Sequence, residues 1–229
     1  MALKIIVSYD DTDNDRDALA LGRLLAYSGA ELSLAYVRHS QAEGEPEALE
    51  EKQAEELLAR GAASIGAPDM QRHVVVNAST SDGLLELAER ENADVIVFGS
   101  DYRTAAGTVK PGIAAHKLLL GDPAAIAVAP ADLRSRPSVS VNTVGVIDEG
   151  DEAARETARS LAAALGATVA EHGSGPVDLL VVGSRPESPE GKVTLSAASD
   201  YAVETATYPV LVVPRGAPVS FAAPQAQTA

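Results

Sequence analysis

The stretch "ADVIVFGS" at residues 93–100 returns as "VDLLVVGS" at residues 177–184, and the likeness runs in one register of 84 positions from 93–130 to 177–214. Asp94 falls on Asp178, Gly99-Ser100 on Gly183-Ser184, Gly107 on Gly191, Val109 on Val193, Val128 on Val212 and Pro130 on Pro214. Self-similarity at a fixed spacing says that one supersecondary unit is used twice. A run of branched apolar residues stopped by Gly-Ser reads as a strand buried on both faces.

Upstream of the first copy, strands and helices alternate. "KIIVSY" at 4–9 is a buried strand that stops at Asp10. The following "DDTDNDRD" sets five acids, Asp10 to Asp17, ahead of the periodic Ala18, Leu21 and Leu25, where negative charge suits a helix N-terminus; Gly29 ends that helix. A strand at 32–37, a polar loop at 41–44, a helix at 47–65, a strand "HVVVN" at 73–77 and a helix opened by Ser79 and Asp82 in capping-box spacing complete the run. Such alternation implies right-handed βαβ crossovers and an open parallel sheet with helices on both faces. Ligands of such sheets bind beyond the carboxyl ends of the strands, which here carry Asp10, Val37, Gly99 and Ser100.

The second copy is shorter. "VNTVGVID" at 141–148 closes on Asp148 as the first strand closes on Asp10, yet that offset is 138 rather than 84, so about 54 residues are missing. They correspond to the second helix, third strand and third helix. "TVAEHG" at 168–173 stands only three residues before the next strand run. A parallel crossover needs a dozen or more, so this piece is expected to be an antiparallel edge or no sheet strand at all. The expected domains are a full repeat at 1–134 and a shortened one at 138–216, joined by a linker at 131–140 and followed by a disordered tail at 217–229.

Composition excludes several classes. With 229 residues, 46% of them hydrophobic, the chain buries one sizeable core or two small ones. Zero cysteines remove disulfide and thiolate chemistry. No apolar stretch reaches the roughly 20 residues of a membrane span, and no signal-peptide pattern precedes the first strand, so a cytoplasmic protein without a membrane partner is expected. A net charge of −15 argues against nucleic acid as a partner.

The paired "(A)D-hydrophobic-GS" segments, each followed about 25 residues later by a strand ending in proline ("AIAVAP", "VLVVP"), together with two strands ending in Asp, resemble the universal stress protein family. The chain looks like a tandem member, with 2–134 fitting the full repeat and 138–216 a shortened one. The resemblance implies the Rossmann-like sheet of the adenine-nucleotide alpha-hydrolase type, in strand order 3-2-1-4-5. It also implies dimers through the last strand, formed here within the chain as a pseudo-dimer or between chains as a homodimer. ATP or AMP is the ligand it suggests, and Asp10 and Asp148 would sit near the adenosine part. Nucleotide-binding members carry Gly, two residues, Gly, nine residues, Gly, then Ser or Thr, which lets backbone N–H groups reach phosphate oxygens. This chain departs from that pattern, with Gly99, Tyr102, Gly112 and Ile113 in the first repeat and Gly183, Pro186, Ser196 and Ala197 in the second. Near the second turn, Arg185, Lys192, Thr194, Ser196 and Ser199 offer side chains for an anion instead, beside the candidate Ser184.

The acidic run lacks the glycine and closing glutamate of a calcium loop, the four histidines lie far apart, and Ser100 and Ser184 lack a nucleophile elbow. No metal and no catalytic group are assigned. The expected function is a non-catalytic stress-response module that binds an adenine nucleotide or another small anionic ligand. The alternatives are an ATP-hydrolysing or adenylate-transferring enzyme on the same sheet and a ligand-free structural pseudo-dimer.

Overall fold

Apolar strands alternate with helices along most of the described residues. The computed structural model describes residues 2–27, 29–39, 47–136 and 140–221. The first part runs β1 (Lys4–Ser8), α1 (Asp13–Ala26), β2 (Glu31–Arg38), α2 (Glu47–Ser64), β3 (Gln71–Val76), α3 (Thr80–Glu91), β4 (Val95–Gly99), α4 (Ile113–Leu118) and β5 (Ala125–Ala129). The second runs β6 (Thr143–Ile147), α5 (Glu152–Leu165), β7 (Thr168–Glu171), β8 (Leu179–Val182), α6 (Ala197–Glu204) and β9 (Val210–Val212). All nine strands join one sheet in the order β3-β2-β1-β4-β5-β9-β8-β6-β7, parallel throughout except where β5 meets β9. The first five strands thus take the expected order.

Local chemistry sets the helix starts. Thr12 caps α1 and closes a capping box with Asp15. Ser79 caps α3 by accepting the Asp82 N–H, but Asp82 turns its carboxylate to Lys117 on α4, at 2.6 Å, instead of completing the box. Alternate strand residues feed two cores. Val95 and Val97 join the side covered by α1, α2 and α5, while Ile96 and Phe98 join the side covered by α3, α4 and α6.

At the seam Ile126 pairs with Val212, Ala127 with Leu211 and Val128 with Val210, all buried. Two strands that would otherwise be bare apolar edges cover each other. Bonds around the seam come in pairs 84 positions apart. Val109 N–H donates to Ala206 O at 2.8 Å and Val193 N–H to Asp122 O at 3.0 Å. Ser100 Oγ donates to Ala129 O at 2.7 Å and Ser184 Oγ to Val213 O at 2.9 Å.

Two expectations need correction. Residues 168–171 form a strand, β7, which pairs parallel with β6 through α5. It ends at Glu171 and β8 begins at Leu179, on the other side of β6, so seven residues make the return rather than three. Seven extended residues reach about 23 Å, enough to climb back beside so short a strand and cross two strand spacings of about 4.8 Å each. The return crosses over β6, where a Cβ on Gly145 would lie 2.8 Å from Val177 Cγ1. Glycine there makes room for a loop in place of a helix. The second correction concerns residues 217–221, which lie along α5 rather than starting a free tail. Val219 N–H donates to Thr157 Oγ1, Phe221 N–H donates to Ser160 Oγ, and both apolar side chains are buried in the core. The polar loop at 41–44, the linker's 137–139 and the tail's 222–229 lie outside the described residues.

Candidate functional site

A cleft of about 870 Å³ among the described residues opens at the carboxyl ends of β1 and β2, beside β1, which is flanked by β2 on one side and β4 on the other. Sheets of this kind bind ligands there, because two crossovers diverge and leave a crevice. Its walls are the end of β1 through Asp10, the first turns of α1, the end of β2 through Val37 and His39, Tyr102 to Ala106 after β4, and Ala131 to Arg134 after β5. His39 is held at the rim by Ala78 O and the Thr80 hydroxyl.

The wall is acidic, but most of its acids are engaged. Asp15 accepts from the Thr12 hydroxyl and from the N–H groups of Asp10 and Thr12; its burial still pushes its carboxyl up. Asp13 and Asp17 pair with Arg134, and Asp17, fully buried, also accepts the N–H groups of Asp132 and Arg134 at 2.8 and 2.9 Å. Asp11 lies below the usual carboxylate range because Arg16 and then Tyr9 bond to it, while burial and that bond push Tyr9 up to about 12. Asp10 is different. Its carboxylate has no hydrogen-bond partner among the described residues, and partial burial, then the charge of Asp15, raise it. Thr104 Oγ1, buried in the same wall, also has none among those residues.

Of the first-repeat candidates, Asp10 and Val37 face this cleft together, and Gly99, Ser100 and Gly112 do not line it. A Cβ on Gly99 would lie 2.0 Å from Asn14 O, so this glycine lets the first turn of α1 sit on the end of β4. Ser100 is buried, donating to Ala129 O and accepting the Lys110 N–H at 3.1 Å, which clamps the ends of β4 and β5. Gly112 caps α4 with open space around it. Tyr102, in the place of the second motif glycine, is 71% exposed at the cleft mouth with the Arg103 guanidinium 4.8 Å from its ring centre.

In the second half Asp148 ends β6 as Asp10 ends β1, but it is taken by a cation. Arg155 donates to it from Nε at 3.2 Å and from Nη2, and holds its carboxyl low; the same guanidinium reaches Glu171. Gly183 repeats the packing role, with a Cβ there 2.9 Å from Asp148 O, and Ser184 repeats the clamp. The remaining candidates are not brought together. Thr194 and Ser196 line a small cavity of about 140 Å³ between α4 and α6, which has neither Arg185 nor Lys192 in its wall. Thr194 accepts from Ser188, and Ser196, the cap of α6, donates with Ser199 to the Glu149 carboxylate. Arg185 is exposed.

Sequence reasoning missed Asp17, Glu149 and Arg155. Asp17 carried a signal, because it sits four residues before Leu21 on the apolar stripe of α1, where a charge must find a partner. Glu149 lies at φ +49° in a turn before Gly150, a conformation that side-chain type does not announce. Among the described residues no group of three or more acids and histidines is arranged to hold a metal, and no helix is long and apolar enough to cross a membrane.

Comparison with known proteins agrees with this architecture. A universal stress protein from Archaeoglobus fulgidus DSM 4304 overlays 93% of this chain and 98% of its own at 17% identity and a TM-score of 0.58. A protein of unknown function from Pseudomonas aeruginosa PAO1 overlays 93% of each chain at 15% identity and a TM-score of 0.60. These likenesses concern the fold. A universal stress protein solved in complex with cAMP overlays 42% of this chain and 75% of its own at 26% identity and a TM-score of 0.35, an overlap too small to bear on the ligand here. No curated protein matches the sequence significantly. The model of the universal stress protein family matches residues 1–120, just over half of the 229, and the chain therefore belongs to the universal stress protein family.

Proposed function

We propose that the chain is a non-catalytic binding module of stress physiology, working in the cytoplasm, that takes one nucleoside or nucleoside monophosphate in the first-half cleft. The observation that carries this reading is the contrast between Asp10 and Asp148. Two acids end equivalent strands; one is free at the mouth of an 870 Å³ cleft, and the other is neutralised by Arg155. A free carboxylate suits ribose hydroxyls as donors, and Val37 offers an apolar wall for a base. Because Asp10, Asp13, Asp15, Asp17 and Asp132 face a single Arg134, each added phosphate brings repulsion, so a triphosphate is disfavoured.

The repeats at 1–134 and 138–216 act as an intrachain pseudo-dimer, a reading supported by the β5–β9 seam and by hydrogen bonds that recur 84 positions apart. The test is calorimetric titration of adenosine, AMP and ATP into the wild type and Asp10→Ala. Adenosine and AMP should bind the wild type more tightly than ATP and lose at least tenfold in affinity in the variant, about 1.4 kcal/mol. Equal affinities in both proteins would end the proposal, and turnover of ATP would favour an enzyme on the same sheet.

A further inference from the structure

The bonds that tie the two halves together are matched in geometry and unmatched in charge. On one side of the seam Val109 N–H donates to Ala206 O; on the other, Val193 N–H donates to Asp122 O. Where one carbonyl belongs to an alanine, the other belongs to an acid that is 2% exposed. Asp122 Oδ1 accepts the Ala124 N–H at 2.7 Å, and Oδ2 is buried with no partner among the described residues. A neutral carboxyl tolerates that surrounding far better than a carboxylate, which leaves a desolvated charge with one donor.

We propose that Asp122 is a pH-sensitive latch on the seam, closed when the carboxyl is protonated and loosened when it ionises. The charged groups that act on it across the packing are Lys192, on the loop between β8 and α6, and Glu89 on α3. On α4, Lys117 is paired with Asp82, and His116 lines the small cavity toward α6. Burial raises the Asp122 carboxyl to about 6, Lys192 opposing. Its protonated form therefore dominates below that value and the charged form above it. On ionisation Oδ2 needs water or a closer Lys192 ammonium. Either requires the loop after β8 to move, because its Val193 is itself fully buried and bonded to the Asp122 carbonyl. The latch thus places the loop carrying Arg185, Lys192 and Thr194 under control of pH near neutrality.

The matched bond supplies the control. Amide hydrogen exchange at Val193 and Val109 is followed by NMR from pH 5 to 8, and the ratio of their protection factors cancels the intrinsic pH dependence. In the wild type the ratio should fall on the order of tenfold, with a midpoint near 6, as the Val193 side opens. In Asp122→Asn and in Asp122→Ala, the latter copying the residue at position 206, it should stay flat. A flat ratio in the wild type would overturn the proposal. So would the same fall in a folded variant, which would place the titrating group elsewhere.

Discussion

Replacing Gly99 by alanine tests whether the Gly-Ser motif serves packing or ligand binding. A Cβ there would stand 2.0 Å from Asn14 O and 2.5 Å from Asn14 C, atoms of the α1 backbone that no rotamer change can move aside. At Gly183 the intrusion is milder, 2.9 Å from Asp148 O and 3.1 Å from Ala154 Cβ. Overpacking commonly costs about 1–3 kcal/mol. Gly99→Ala, which must push the start of α1 off β4 by more than an ångström, should lie at or above the top of that range, and Gly183→Ala near the bottom. Urea unfolding of both variants gives the numbers, and in a chain of this size about 3 kcal/mol corresponds to a fall of roughly 6–12 °C in melting temperature. The reasoning is refuted if Gly99→Ala unfolds within about 0.5 kcal/mol of the wild type, or if Gly183→Ala is the worse of the two.

Asp17→Ala removes the acceptor of two backbone N–H groups and the partner of Arg134, and should cost about 3 kcal/mol in denaturant unfolding while freeing residues 132–134 from α1. Asp122→Asn should raise stability at pH 7.5 by up to about 3 kcal/mol, because a carboxyl raised from 3.8 to about 6 costs the fold stability progressively as pH rises from about 4 through 6. The gain should vanish near pH 4, and a pH-independent difference would contradict the burial argument. Thr157→Val combined with Ser160→Ala should release residues 217–221 from α5 and open that segment to proteolysis ahead of the core. Cleavage there at the wild-type rate would mean that Val219 and Phe221 hold the segment by apolar contact alone.

The fold was legible because its signals are periodic. Branched apolar runs ended by Asp or Gly-Ser located the strands of the parallel sheet, and the 84-residue register brought "AIAVAP" and "VLVVP" forward as a pair of apolar edges. What failed was a rule about connection length applied to 168–173, since the rule presumes a helix on the way back and Gly145 with Val177 make one unnecessary. The candidate site was legible only in part. Asp10 and Val37 follow from strand ends, but spacing says nothing about where a side chain points. Ser196, Thr194 and Lys192 are close in sequence, yet Ser196 turns to Glu149, Thr194 to Ser188, and Lys192 acts on Asp122. Likewise the charge that silences Asp148 comes from Arg155, one helical turn into α5, whereas among the described residues no guanidinium bonds Asp10, which feels only the more distant charge of His39.

Native mass spectrometry of the chain with AMP tests the central claim most directly, since it counts ligands on the intact protein. The account predicts one AMP per wild-type chain, none on Asp10→Ala, and one retained on Asp148→Ala, because among the described residues Asp10 has no hydrogen-bonded partner while Asp148 is held by Arg155. Two AMP per wild-type chain, or one that survives Asp10→Ala and disappears in Asp148→Ala, would contradict it.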